Sequence, residues 1–211
     1  MLTLFTIALV VLVYIFIGYP IVLAVLSKLL AKAVRREDIT PDVSLVISAY
    51  NEQNIIREKL ENTLALDYPK EKLEVIVASE ATDGTNDIVR QYADRGIILY
   101  AYENREGKSA TLYRTVPRTH GEILVFSDAN ALYHHDAIRK LVRNFADPRV
   151  GCVSGRLTYV NPGDCAIGQG ESAYWEFEFL LKGMLSRIMK LSGGVNGSIF
   201  AIRRNLYNPI D

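Results

Sequence analysis

At 211 residues and 23.7 kDa, the chain has room for one membrane element and one domain with a sizeable core. Its 24 basic residues balance its 24 acidic ones, which excludes general nucleic-acid binding, since that would show as a basic surplus. Cys152 and Cys165 are too few for a disulfide framework and read as reduced, buried thiols of a cytosolic domain.

From Leu2 to Ser27 no residue is charged, and Leu, Ile, Val, Phe and Ala dominate. That run exceeds the roughly 20 residues a helix needs to cross a bilayer. Lys28, Lys32, Arg35 and Arg36 follow it and no basic residue precedes it. The positive-inside rule then places the N-terminus outside and the remainder in the cytoplasm, a single-pass protein of the cell membrane. A cleaved signal peptide is the competing reading, with Ala31-Lys32-Ala33 a weak cleavage match, but the apolar run is too long and lacks a positive flank before it. A buried core helix is disfavoured by length. Pro20 predicts a kink that a membrane helix tolerates. The organisation read from this is an anchor over 1–27, a basic juxtamembrane linker over 28–41, and a domain over 42–211.

Past Thr40-Pro41 short apolar runs alternate with helical stretches. Val43–Ser48 predicts a strand, and Gln53–Ala65 a helix with Ile55, Ile56, Leu60 and Leu64 on one side, broken by Asp67-Tyr68-Pro69. Leu73–Ala78 is a second strand, followed by the turn Thr82–Thr85 and a helix through Tyr92. Ile97–Tyr102 is a third, and Gly107-Lys108 opens a helix of about ten residues. Glu122–Ser127 is a fourth, and Asp136–Phe145 an amphipathic helix closed by Asp147-Pro148. Gly151–Val160 reads as extended, Ala173–Met189 as an aromatic-rich helix, Ser192–Ser198 as a loop and Ile199–Ile202 as a last strand. The helix has Tyr174, Phe177, Leu181, Leu185 and Ile188 along one face, destined for the core by default or for the membrane surface. Strands alternating with helices mean an α/β fold, a mostly parallel sheet flanked by helices.

Ligands of such sheets bind at the carboxyl ends of the strands, near the switch in strand order. Tyr50-Asn51-Glu52, Glu80 to Asp83 and Asp128 all fall there. An Asp at a strand end can ligate Mg²⁺ or Mn²⁺, with a diphosphate completing the shell. Lys108 at a helix start adds a point charge to the same phosphates, and Asn51, Glu52 and Asp83 could hydrogen-bond a base and ribose. Each residue also has an ordinary reading: Asp128 as a cap or turn residue, Asp83 and Asn51 as turn chemistry, Lys108 as a solvated helix start. Their recurrence at three successive strand ends is what favours a nucleotide-diphosphate site.

No G-x-G-x-x-G follows the first strand, no G-x-x-x-x-G-K-[ST] is present and no G-x-S-x-G occurs, which argues against dehydrogenase, P-loop and α/β-hydrolase chemistry. His134-His135 would point different ways on a helix and has no third His or Cys nearby, so it reads as structural rather than as a zinc site.

The ordered motifs V-S-L-V-I-S-A-Y-N-E (43–52), A-T-D-G-T (81–85), R-E-G-K (105–108), F-S-D-A-N (126–130) and A-I-R-R (201–204) resemble the family 2 glycosyltransferases, most of all the membrane-anchored bacterial branch that builds extracellular polysaccharides. The resemblance covers about residue 42 to the C-terminus. It implies a GT-A fold and inverting transfer of sugar from a nucleotide donor, usually a UDP-sugar, to a saccharide or lipid-linked acceptor, with a divalent metal, Mg²⁺ or Mn²⁺. By that resemblance Tyr50, Asn51 and Glu52 line the base and ribose pocket, and Asp83 with Glu80 holds uridine. Lys108 faces the nucleotide, and Asp128 is the first acid of a D-x-D element meeting metal and diphosphate. Gly193 to Ser198, including Gly194, lies near donor sugar and acceptor, with Trp175 and Glu176 on the helix before it.

The chain departs from that pattern in three places. Asn130 replaces the second Asp of D-x-D; its amide oxygen can still ligate a metal but adds no charge. Glu80 stands where many members carry Asp. The general base needed by an inverting transfer lies in the family downstream of the A-I-R-R strand, so it is expected beyond Asp211, and the chain reads as C-terminally truncated. Two further readings stay open: a non-catalytic nucleotide-sugar-binding fragment, and a sugar nucleotidyltransferase, although Ser48–Glu52 is unlike the glycine-rich loop of those enzymes.

Overall fold

Val43–Ala49 (β1) interleaves apolar residues with two serines and is buried almost throughout, as a strand covered on both faces should be. β2 (Leu73–Ser79) pairs with it in parallel on one side and β4 (Ile123–Asp128) in parallel on the other. β3 (Ile97–Ala101) continues the parallel set beyond β2. β6 (Ile199–Arg203) runs antiparallel to β4, and β5 (Cys152–Ser154) antiparallel to β6, giving the order β3-β2-β1-β4-β6-β5. Five strands therefore share one direction and β6 opposes them. A computed structural model describes residues 1–31, 33–156, 166–189, 194–195 and 197–208 of the chain.

The predicted strands are all present within a residue or two, except that β5 ends at Ser154; positions 157–160 of that expected strand lie outside the described residues. Helices follow as α3 (Ile56–Leu64), α4 (Thr85–Arg90), α5 (Lys108–Thr115) and α6 (Ala137–Val142). α3 starts three residues later than its apolar spacing suggests, because 52–55 form turns from which the amides of Ile55 and Ile56 both return to the Glu52 carbonyl.

Alternation along the strands sends Val43, Leu45, Ile47, Val75, Val77, Ile123 and Val125 to one face, where Ile56 and Leu60 of α3 and Ile138 and Val142 of α6 cover them. Val46, Ala78, Leu124 and Phe126 take the other face with Leu112 of α5. Phe126 is fully buried there, its ring 4.9 Å from Phe200 and 5.5 Å from Tyr207. Each such side chain contributes about 1.5–3 kcal/mol by leaving water. Gly121 enters β4 against the backbone of β1: its N–H donates to Ser44 Oγ at 2.7 Å, and a Cβ there would stand 2.3 Å from Ser44 N.

Two compact units divide the chain, Met1–Ala33 with Thr158–Gly194, and Val34–Leu157 with Val195–Asp211. In the first, α1 (Leu2–Val13) and α2 (Tyr19–Leu30) join through a π-helical turn at Tyr14–Gly18 into one apolar helix over Leu2–Leu30, long enough to cross a membrane. Pro20 cannot donate to the carbonyl four residues back, and the π-helical turn ends two residues before it, at Gly18. α7 (Ala166–Met189) begins earlier than predicted and packs on α2, with the Phe16 and Phe177 rings 6.5 Å apart. The default expectation that its aromatic face enters the core is therefore corrected: its partner is the apolar helix, and Tyr174 is exposed.

Two further expectations change. Cys152 is exposed rather than buried, because β5 is the edge strand of the sheet; Cys165 lies outside the described residues. The end of the charged stretch before β1 is fastened to the sheet domain: Arg35 N–H donates to Asp147 at 3.3 Å, Lys72 Nζ to the Thr40 carbonyl at 2.8 Å, and Tyr68 Oη to the Pro41 carbonyl.

Candidate nucleotide-diphosphate site

Strand order reverses at β1, with β2 on one side and β4 on the other, so the crevice between the carboxyl ends of β1 and β4 is the switch point. The register brings Ser48 opposite Asp128 and Ala49 opposite Ser79. Tyr50-Asn51-Glu52, Glu80 and Asp128 accordingly emerge along one edge.

The loops there are tied to one another. Asn51 sits at φ 55°, a left-handed conformation that Asn tolerates, and its Oδ1 accepts from Thr82 N–H at 2.9 Å. Thr85 Oγ1 accepts from Glu52 N–H at 2.8 Å. Asp83 accepts from Thr85 N–H at 3.0 Å and from Gln53 N–H at 3.3 Å. Burial pushes the Glu52 carboxyl upward, and the charges of Asp128 and Asp83 add to it, so the three carboxylates share one electrostatic neighbourhood. The Arg105 guanidinium stands 4.2 Å from the centre of the Tyr50 ring.

Glu80 is 6% exposed, and both its oxygens are engaged. They accept from Glu106 N–H and Gly107 N–H at 3.0 Å each, with Arg114 Nη2 at 3.4 Å. Burial alone would raise its carboxyl. The backbone bonds from Glu106 and Gly107, the Thr111 hydroxyl and Arg114 outweigh that and hold it below the usual range. Its role in the protein is to pin the 105–107 turn, whose Gly107 (φ 92°) precedes Lys108.

Lys108, the first residue of α5, donates through Nζ to Asp128 Oδ1. A Cβ on Gly197 would lie 3.7 Å from Lys108 Nζ and 3.8 Å from Asp128 Oδ2, so the segment before β6 passes close to the pair. Asn130 is exposed two residues beyond Asp128. The Ser48 hydroxyl, in register with Asp128, is buried without a partner among the described residues. A carboxylate, an amide and an orphan hydroxyl are oxygen donors suited to a hard divalent cation, and Lys108 suits a phosphate. These residues fit a metal–diphosphate group.

Trp175, Glu176 and Gly194 belong to the first unit, Trp175 with its ring 6.3 Å from Phe179. Gly193, Asn196 and Asp211 lie outside the described residues. His134 and His135 do not diverge as expected. They sit in a turn before α6 with rings 4.5 Å apart, and His134 Nδ1 lies 2.7 Å from Asp136 Oδ1. Ligand atoms of His134, His135 and Asp136 come within 4.8 Å of one another, but Asp136 is also paired with Lys140 at 2.8 Å, and with Lys140 and His134 beside it its carboxyl is held at about 2. A hollow of about 410 Å³ lined by Glu122, Arg203, Arg204 and Asn205 opens at the other end of β4 and is separate from this edge.

Sequence reasoning missed Lys59, Ser48 and Arg105. Lys59 occupies the Ile56–Leu60–Thr63 stripe of α3 and is fully buried. Its place in an apolar helical stripe was the available signal.

A mixed sheet with this order, flanked by helices and with acids at its switch point, defines the GT-A class of nucleotide-diphospho-sugar transferase folds. The sequence profile of glycosyl transferase family 2 matches residues 44–210, and the chain belongs to that family. It is 28% identical over 178 residues to the probable glycosyltransferase YdaM of Bacillus subtilis (strain 168), covering 81% of this chain and 42% of that one. It is 26% identical to the poly-beta-1,6-N-acetyl-D-glucosamine synthase of Staphylococcus aureus (strain MSSA476), covering 77% and 40%. The chain thus spans about two fifths of these relatives' lengths. Among solved structures, the mannosyltransferase PcManGT from Pyrobaculum calidifontis, in complex with GDP-Man and Mn²⁺, superposes with a TM-score of 0.71 at 29% identity, covering 93% of this chain and 55% of that one.

Proposed function

We propose that this chain carries the donor-binding part of an inverting glycosyltransferase that takes sugar from a UDP-sugar and passes it to a saccharide or lipid-linked acceptor in cell-envelope polysaccharide synthesis. The observation that carries this reading is the meeting of Lys108, Asp128 and Gly197 at the switch point of the sheet. Tyr50, Asn51, Glu52 and Asp83 receive the nucleoside on loops already bonded to one another. Glu80 serves by holding the turn that presents Lys108. Asp128 and Asn130 would hold Mg²⁺ or Mn²⁺, which when bound neutralises charge on a departing diphosphate. Lys108 binds that diphosphate from the start of α5, where the helix N-terminus also favours anions. Trp175, Glu176 and Gly194 are proposed for the acceptor side by family resemblance. The Leu2–Leu30 helix is proposed as a single membrane anchor with the domain in the cytoplasm, on the strength of Lys28, Lys32, Arg35 and Arg36 following the apolar run.

Calorimetric titration of UDP and of GDP into the detergent-solubilised chain, with and without Mn²⁺, tests the reading. UDP binding that strengthens with Mn²⁺ and loses that gain in Asp128→Ala is the expected result. Preference for GDP would overturn the donor assignment, and absence of binding by a folded sample would overturn the site.

A further inference from the structure

Lys59 is fully buried, on a helix face otherwise made by Ile56, Leu60 and Thr63. A buried amine requires partners, and all of those found here lie in the segment that follows Asp128. Nζ donates to the carbonyl oxygen of Ala131 and stands 3.5 Å from the centre of the Tyr133 ring. One turn further along α3, Asn62 brackets Tyr133, accepting from its N–H at 2.8 Å and donating to its carbonyl at 2.9 Å. Tyr133 Oη reaches the carbonyl of Ser198 at 3.3 Å, beside Gly197. The Asp128 carbonyl accepts from Ala131 N–H at 3.4 Å, which closes the turn over Asp128, Ala129 and Asn130.

The contacts of Lys59 therefore converge on the far leg of the turn that presents Asp128 and Asn130. An apolar side chain of the same length would fill the space on α3 but leave the Ala131 carbonyl without this donor, at about 1–3 kcal/mol in stability. What an apolar side chain cannot do is fix the Ala131 carbonyl. Without that bond the turn is held on one side by β4 and on the other only from Tyr133 onward.

We infer that Lys59 is a positioning residue for the Asp128–Asn130 turn, setting the geometry in which those two side chains meet a divalent cation and diphosphate. The inference rests on the donor-site reading above and adds to it a residue from the opposite side of the turn. Lys59 touches neither nucleotide nor metal in this scheme and acts through the backbone at Ala131. Groups that orient metal ligands in this way typically change metal affinity by about 10–100-fold when removed.

The test is a paired titration on the detergent-solubilised full chain, wild type beside Lys59→Met and Lys59→Gln, with unfolding curves for each. UDP affinity is measured without metal and at increasing Mn²⁺. The expected result is that Lys59→Met folds, keeps the metal-free UDP affinity within about twofold because that component is held at other strand ends, and loses about tenfold or more of the Mn²⁺-dependent gain. An equal loss of metal-free and Mn²⁺-dependent binding would overturn the inference in favour of a general packing role, as would an unchanged Mn²⁺ gain in both variants. Failure of both variants to fold would overturn it too, since Lys59 would then serve the core. If wild type itself shows no Mn²⁺-dependent gain, the donor-site reading fails first, and the three arms keep that outcome distinct from the others.

Discussion

Lys108 opens α5 and Asp128 closes β4, and the two side chains meet as an ion pair across the carboxyl edge of the sheet. Their side chains are 42% and 35% exposed, so solvent screens the pair and its own contribution to folding is small, about 0–1 kcal/mol. Under the proposed donor-binding function, the pair is a matched cation and anion for a diphosphate and its counter-ion. Lys108→Met should leave the unfolding transition nearly unchanged while weakening UDP binding about tenfold or more, the worth of a charge-assisted hydrogen bond. Calorimetry with a parallel thermal melt checks this; a large fall in melting temperature with intact affinity would reverse the assignment.

Glu80 predicts the opposite balance. Its carboxylate is buried and accepts from two backbone N–H groups and Arg114, so Glu80→Ala removes bonds to a charged group, each contributing about 1.5–3 kcal/mol at most. Because its folded pKa is lowered, the stability it contributes is present above the ordinary carboxylate range and is lost as pH falls through the lowered value. Urea denaturation of wild type and Glu80→Ala at pH 7 and pH 4 reads both effects; the two curves should lie closer together at the acid end.

Lys59 gives stability a distinct alkaline signature. Burial lowers its pKa to about 7, opposed in part by the nearby charge of Asp128, against 10.5 in the open chain. Between those values the unfolded state binds more protons than the folded one, so stability rises with pH, by about 1.4 kcal/mol per pH unit at most. Above pH 10 the trend turns, since burial raises the hydroxyls of Tyr68 and Tyr133 and the unfolded chain then ionises first. Denaturation midpoints at pH 7, 8 and 9 should climb in wild type and stay level in Lys59→Met.

Gly121 tests the fold without touching the site. A Cβ there collides with the backbone of Val43 and Ser44, which cannot yield without disturbing the central strand pair. Gly121→Ala should cost about 3 kcal/mol or more, seen as a shifted urea midpoint. Gly197→Ala, whose new methyl meets only ordinary contacts with Lys108 and Asp128, should fold like wild type.

Much of this architecture was legible along the chain because its signals are local. Continuous apolar runs such as Ile123-Leu124-Val125 leave no choice but a strand covered on both faces. Polar groups placed after those runs must then gather at one edge, whatever the order of strands. The uncharged stretch before Lys28 is likewise legible from composition, as a helix long and apolar enough to cross a membrane.

Partnership was decided only in three dimensions. Periodicity marks α7 as amphipathic but cannot say which surface it meets; in the structure α7 packs on α2, with Phe177 beside Phe16. Glu80 and Asp83 look alike as acids after a strand, yet one is buried under the Lys108 turn while the other cross-links two loops. Lys59 is hardest to read in advance, because a lysine in an apolar stripe normally extends its charge to water. Here α3 faces the segment that follows β4, so the amine meets the Ala131 carbonyl, 72 residues away in the chain, and the Tyr133 ring before it finds solvent. Local chemistry determined which residues stand at the edge; long-range packing determined which of them are free to meet a ligand and which hold the others in place.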